Sequence, residues 1–286
     1  HADLPDIDVY PSADQAFSNP EVDLIVIASP NDTHTSLAMA ALNAGKHVVI
    51  DKPVALDGEE LEHITACARH HDRVFSVFQN RRWDADFLTL KGLLDAGRLG
   101  DVTRCHLHFD RFRPEVRDRW RERPGPGSGA WYDLGSHLAD QAVTLFGTPR
   151  AVYADLATLR PGGGAVDYFH VLLRYDHHRV VLSSHALSAH DSLRYAVDGT
   201  RASYIKHGID TQEQTLRDGG TPGQAGWGED PMRGVLYHGD TGENELIDNA
   251  RGDYRAYYDN IVAHLNGEAE LLVTPEQARE VMRVLD

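Results

Sequence analysis

The chain has 286 residues, of which 41% are hydrophobic and 25% charged, and its net charge is -16. That length suffices for two domains, or one large one, with a sizeable core. So acidic a chain is not expected to bind nucleic acid or an anionic membrane surface, because nothing would offset phosphate repulsion, and no apolar run is long enough to span a bilayer.

In chain order, Ser12 opens a capping-box pattern, which predicts a short helix over 13–18. VDLIVIASP (22–30) is a continuous apolar run ending in Pro, the signature of a buried parallel strand. Asn31 or Thr33 can cap the helix that follows, and Gly45 ends it. HVVI (47–50) is a second strand. Asp57 and Glu60 form a capping-box pattern for the next helix, and RVFSVFQN (73–80) is a third strand. Strands alternating with helices over short connections imply parallel βαβ units. In such sheets the ligand lies beyond the carboxyl ends of the strands. The residues leaving those ends are Ser29-Pro30-Asn31, Asp51-Lys52-Pro53 and the run from Gln79 to Trp83.

The texture changes near residue 85. A helix is predicted over 85–96, stopped at Gly97, and a long strand over 101–112. A loop rich in Arg, Pro and Gly (113–129) leads into WYDLGSHLAD. Strand-like runs follow at 151–159, 166–175, 179–188, 193–200 and 202–208, with DHH (176–178) and GTR (199–201) as hairpin turns. A loop-rich stretch spans 219–231. Two helices close the chain, about 253–266 and 275–286, the second with Thr274 as N-cap and Pro275 in its first turn.

The fold class expected is therefore an α/β Rossmann-like parallel sheet over 1–82, then an α+β domain with a large, open, mostly antiparallel sheet over 83–286. There is no G-x-G-x-x-G anywhere in the sequence, so the first domain reads as N-terminally incomplete, lacking a first βαβ unit. The chain opens without Met and stops inside a helical pattern, so both ends read as cut. Cys67 and Cys105 stand far apart and outside any ligand-spaced pair, and no signal segment opens the chain. A cytoplasmic location is the default for that pattern. An open sheet face needs a cover, so a homodimer or homotetramer is expected through it.

Several residues carry candidate chemistry. In WYDLGSHLAD, helical spacing places Asp133, His137 and Asp140 along one stripe continued by Thr144. Three readings fit: a solvated polar face, a metal site, or an acid/base pair facing a cleft. No second ligand cluster supports the metal, so none is expected, and Asp140 falls to a supporting role. Lys52, at a strand end, can accept a hydroxyl proton or place a cation near a developing alkoxide, and burial would draw its pKa towards neutral. Asn80, Arg82, Trp83 and Asp84 leave the third strand, where Trp can stack on a ring and Arg and Asp can grip hydroxyls. Domain-linking ion pairs explain them as well. Pro30, Asn31 and His34 sit at a strand-to-helix turn. Arg111, Arg113, Arg117, Arg119 and Arg121 alternate with acids and read first as an ion-pair network, second as an anion or substrate site. Tyr168 and His170 share one strand face.

The runs ASPNDTHTSLAMAALNAGKHVVIDKP and GSGAWYDLGSHLADQ, with this two-domain order, resemble the glucose–fructose oxidoreductase / inositol dehydrogenase (Gfo/Idh/MocA) family. FQNRRWDADFLTLKGLL, HFDRFRPEVRDRWRE and YFHVLLRY are similar to its NADP-type scyllo-inositol dehydrogenase branch. The resemblance implies an oxidoreductase passing hydride between a cyclic polyol or sugar and NADP or NAD. It implies Lys52, Asp133 and His137 as the proton-handling set. On the cofactor side it implies Ser29, Pro30, Asn31, His34, Asp51, Lys52, Pro53, Asn80, Arg82 and Trp83. On the substrate side it implies Asp84, Tyr132 and Tyr168 beside the proton-handling three. The family usually has Glu where this chain has Asp51. The alternative is a non-catalytic sugar- or cofactor-binding sensor or scaffold on the same fold.

Overall fold

The computed structural model describes residues 7–189 and 192–286. Helix α1 (Ala13–Ser18) precedes strand β1 (Leu24–Ile27), helix α2 (His34–Asn43), β2 (His47–Ile50), α3 (Gly58–His70) and β3 (Phe75–Val77). The three strands form one parallel sheet in sequence order, with Ile27 opposite Ile50 and Ile50 opposite Val77. Ala38, Ala41 and Leu42 of α2 and Leu61 and Ile64 of α3 are fully buried with Val48, Val49 and Ile50, as continuous apolar strands require.

Local capping departs from the expected pattern. Ser12 has N-cap backbone geometry but its side chain caps nothing. A 3₁₀ turn, Asn31–Thr33, precedes α2 and neither predicted cap side chain bonds into the helix. Asp57 does cap α3, accepting from the Glu60 amide at 2.9 Å. The Glu60 carboxylate turns elsewhere, to the Leu56 amide and the Thr35 hydroxyl.

A 3₁₀ turn over Asn80–Trp83 leads to α4 (Ala85–Asp95) and β4 (Val102–His108). A π-helical turn, Trp131–Gly135, runs straight into α5 (Ser136–Phe146). Then come β5 (Ala151–Ala157), β6 (Tyr168–Arg174), β7 (Arg179–His185), β8 (Leu193–Gly199) and β9 (Ala202–His207). After them stand α6 (Gln212–Arg217), β10 (Gly234–His238), β11 (Asn244–Ile247), α7 (Arg255–Leu265) and α8 (Pro275–Leu285). The second sheet has eight strands in the order β11-β10-β9-β8-β4-β7-β6-β5. Every neighbouring pair is antiparallel except β4 and β7.

One face of this sheet is the core: Cys105, Leu107, Phe169, Val171, Leu173, Leu182, Val197 and Tyr204 are all fully buried. The other carries Tyr153, Tyr237 and Leu246, exposed by 57%, 41% and 61%. Helix α8 begins with the full capping box of Thr274 and Gln277 and packs on α5, α3 and β3, so the end of the chain completes the first sheet's core. Among the described residues no helix is long and apolar enough to cross a membrane.

Candidate active site

Several chain segments meet in a cleft of about 370 Å³ at the carboxyl ends of the parallel strands. The end of β2 supplies Asp51 and Lys52, the π turn and first turn of α5 supply Asp133, Leu134 and His137, and the Arg-rich segment after β4 supplies Arg111, Arg119 and Arg121. The Lys52–Pro53 peptide is cis.

The Lys52 ammonium donates to the main-chain carbonyl of Asp133 at 2.7 Å and to its carboxylate at 3.0 Å. The two expected polar residues thus form one unit joining the two sheets. Burial alone would raise the Asp133 carboxyl, but Lys52, then Arg121 and Arg111, hold it down at about 2. His137 is held well below its usual value by burial first, and then by Lys52, Arg81, Arg194 and Arg111. It is therefore neutral across the physiological range. Its Nδ1 is buried with no hydrogen-bond partner among the described residues.

The polar stripe of α5 is not a wet face. From Ser136 to Val143 the helix is buried all round. Asp140 accepts a two-pronged grip from Arg82, 2.9 Å from Nε and 2.6 Å from Nη2. Gly135 lies against Trp131: a Cβ there would stand 2.2 Å from the indole ring, so only glycine fits the close winding of the π turn. The indole is itself fixed by its N–H donating to the Leu285 carbonyl at 3.0 Å.

Of the expected cofactor-side residues, Asp51, Lys52 and Asn80 line the cleft. Ser29 and Pro30 follow the end of β1 beside it. Pro53 presents its carbonyl to His34, which has no exposure; the two ring nitrogens lie 2.9 Å from the Pro53 carbonyl and 3.0 Å from that of Ser29. His34 therefore ties the two strand-end loops together and does not line the cleft. Asn31, also buried, donates to the Gly127 carbonyl.

Arg82, Trp83 and Asp84 are not in the cleft. Arg82 is buried against Asp140, Leu272 and Gln277. Trp83 packs on Tyr257, and Asp84, wholly buried, binds Arg81 and the Tyr254 hydroxyl. A 3₁₀ turn rotates successive side chains by about 120°, and here it sends Arg81, not Arg82, into the cleft. Tyr132 does not line the cleft; burial first, then the charges of Asp286 and Asp57, raise its hydroxyl's pKa. Tyr168 meets His185 edge-on, on the sheet face away from the core.

The sequence analysis placed Arg81 in the strand-end run but gave it no role, and it missed Phe78, Glu213, Arg217, Val26 and Tyr258; all six line the cleft. Glu213, from α6, accepts from both Arg81 and Arg217. A T-x-x-Q pattern at Thr211–Gln214 was the available signal for that helix. Opposite the cations, Val26, Ala28 and Phe78 make an apolar wall; Val26 is 48% exposed although it sits within a parallel strand. A flat, partly apolar ring bearing a carboxamide suits that wall, with Lys52 and Asn80 as polar donors at its edge. The residues present thus fit a nicotinamide.

The family models that match are the oxidoreductase family's NAD-binding Rossmann fold over residues 1–79 and its C-terminal alpha/beta domain over 91–286. Oxidoreductase YdgJ of Escherichia coli is 50% identical over 100% of this chain and 83% of its own length. The scyllo-inositol 2-dehydrogenase (NADP(+)) IolW of Bacillus subtilis is 38% identical over 99% of this chain and 80% of its own. Among solved structures, the YPO2259 oxidoreductase of Yersinia pestis superposes with a TM-score of 0.95 at 47% identity, covering 100% of this chain and 81% of that one.

Proposed function

The chain belongs to the Gfo/Idh/MocA oxidoreductase family, with its NAD-binding domain, and from that premise we propose that it is an NAD(P)-dependent dehydrogenase of a cyclic polyol or sugar. The observation that carries this reading is the meeting of a neutral His137 with the Lys52–Asp133 pair in one cleft at the strand ends.

The nicotinamide, when bound, supplies the hydride acceptor or donor. The chain's own residues handle the rest. His137, held neutral by burial and surrounding cations, takes the hydroxyl proton as a general base and returns it in the reverse direction. The same cations that keep it neutral stabilise an alkoxide formed beside it. The Lys52 ammonium, fixed at both ends of Asp133, places a hydrogen-bond donor at that oxygen. Asp51, Lys52 and Asn80 would hold the cofactor's nicotinamide end, with Ser29, Pro30 and Pro53 in the loops around it.

We place the functional domain boundary at residues 82 and 83. The solvent-facing side of the large sheet, with Tyr153, Tyr237 and Leu246, is the surface a second copy would cover, and the cytoplasm is the compartment of work.

The test is an oxidation panel of inositols and aldoses with both cofactors on the full-length protein, together with Lys52→Met and His137→Gln. Either change should lower kcat by about 10²- to 10⁴-fold, with cofactor binding largely kept in His137→Gln. Wild-type rates in either variant would sink the mechanism.

A further inference from the structure

The cationic wall of the cleft divides into two groups. In the first, each cation has a carboxylate. Lys52 holds Asp133, Arg81 holds Asp84 and Glu213, Arg217 shares Glu213, and Arg119 and Arg160 share Glu122. Of these pairs only Arg119–Glu122 lies within the alternating segment; Arg160–Glu122 joins that segment, and Lys52–Asp133 and Arg81–Glu213 join the cleft, to distant parts of the chain. Arg111 and Arg113 stand outside this first group: among the described residues, neither guanidinium has a carboxylate within salt-bridge distance.

Their backbone fixes where they point. The Arg111 and Arg113 amides bond to the carbonyls of His185 and Ala186, and Phe112 bridges Leu187, so the segment extends the sheet beyond β7. Strand alternation then puts Arg111 and Arg113 on one side, both lining a recess of about 60 Å³ beside Asp133, and Phe112 on the other, 59% exposed. Arg111 belongs to both the recess and the larger cleft of Lys52 and His137. Its guanidinium lies over the Phe109 ring at 4.9 Å, and burial, then Arg113, lower its pKa to about 10, with the more distant charges of Glu213 and Asp133 offsetting only part of that. A desolvated cation beside a like charge is costly unless a counter-ion joins it. This chain has 44 acidic against 28 basic residues, yet among the described residues it brings no carboxylate within salt-bridge distance of this one, Asp133 and Glu213 acting on it only from further away.

We infer that Arg111, with Arg113, receives an oxyanion group of the substrate, so that the polyol or sugar oxidised beside His137 carries a carboxylate or a phosphate. The inference rests on the dehydrogenase reading above and narrows its substrate class. A planar guanidinium donates two parallel hydrogen bonds to either group, and at this position it would anchor the far end of a molecule whose hydroxyl meets His137.

The experiment compares kcat/KM on the full-length protein for neutral inositols and aldoses, for aldonates and uronates, and for hexose phosphates. One anionic class should exceed its neutral counterpart, and which one does distinguishes carboxylate from phosphate. Arg111→Ala should cut that preference by about 10- to 100-fold, mainly through KM, and Arg111→Lys should restore part of it. Unfolding curves matching wild type exclude a folding defect. Preference for neutral polyols, or a preference that Arg111→Ala leaves intact, overturns the inference and leaves the dehydrogenase reading standing. Turnover of nothing in the panel counts against that reading instead. Calorimetric titration with D-glucuronate and D-glucose 6-phosphate then decides the anion site, and absence of binding by either overturns it.

Discussion

The sharpest structural prediction concerns Arg82 and Asp140. The sequence places Arg82 among ligand-facing residues; the structure buries it, with 8% of its side chain exposed against 3% for Asp140. Its guanidinium gives two hydrogen bonds to the Asp140 carboxylate and two to the Leu272 carbonyl and the Gln277 side chain, 3.0 and 2.8 Å away. Replacing Asp140 by Ala leaves the charge buried on two neutral acceptors. Breaking such a pair from one side costs about 3–5 kcal/mol, and the slight exposure of Arg82 favours the lower end. For a chain of 286 residues, an unfolding entropy of about 2.1 cal/mol/K per residue turns about 3 kcal/mol into a Tm drop of about 5 °C. Denaturant titration and calorimetry at pH 7 measure both. The double variant Arg82→Met/Asp140→Leu should recover most of the loss, since an apolar pair of similar volume often matches a buried ion pair. A loss under about 1 kcal/mol for Asp140→Ala, or a raised cofactor KM at unchanged stability, would show that Arg82 serves a ligand after all.

Gly135→Ala drives a methyl into the Trp131 ring and should cost about 1–3 kcal/mol, with an altered near-ultraviolet tryptophan signal; a neutral result would disprove the close contact. The site also sets two pH windows. The folded-state pKa of His137 lies below its unfolded value of 6.5, so the unfolded chain binds the extra proton and stability falls as pH drops below 6.5. His137→Gln should flatten the slope of the denaturation midpoint between pH 6.5 and about 5, and an unchanged slope would contradict the buried neutral imidazole. Asp133 is held at about 2 against an ordinary 3.8. Its contribution, of order 2 kcal/mol, is present above pH 3.8 and lost as pH falls towards 2. Lys52→Met should remove most of it, which acid titration of the two proteins would reveal.

The parallel sheet was legible because its strands are continuous apolar runs punctuated by Pro and Gly, a pattern that few alternatives satisfy. That Lys52, Asp133 and His137 share one site was suggested by the family resemblance, while local spacing left a solvated face open; the direct pairing of Lys52 with Asp133 came from the structure. Periodicity cannot separate a wet polar stripe from one buried against partners elsewhere in the chain. Asp140 needs Arg82, and Asp133 needs Lys52, each many residues away. The 3₁₀ turn at Asn80–Trp83 was equally hidden, and with it the exchange of Arg82 for Arg81 in the cleft. Strands β10 and β11 were overlooked because their runs are five and four residues long and lie among glycines and acids. Helix α6, a single six-residue turn-and-a-half, was lost for the same reason, and Glu213 with it.

The position of α8 bears on how this protein can be made. The Asp286 carboxylate accepts from the Gly58 amide at the start of α3, 228 residues earlier, and Leu285 receives the indole of Trp131. A ribosome that has released the first sheet has therefore not released the helix that seals it. At synthesis rates of about 5–20 residues per second, that sheet waits on the order of ten seconds or more with part of its apolar surface bare. The nascent chain is most exposed to aggregation and to chaperone capture in that interval. Changes to the inner face of α8 should accordingly reduce soluble yield more than they reduce the activity of the molecules that do fold.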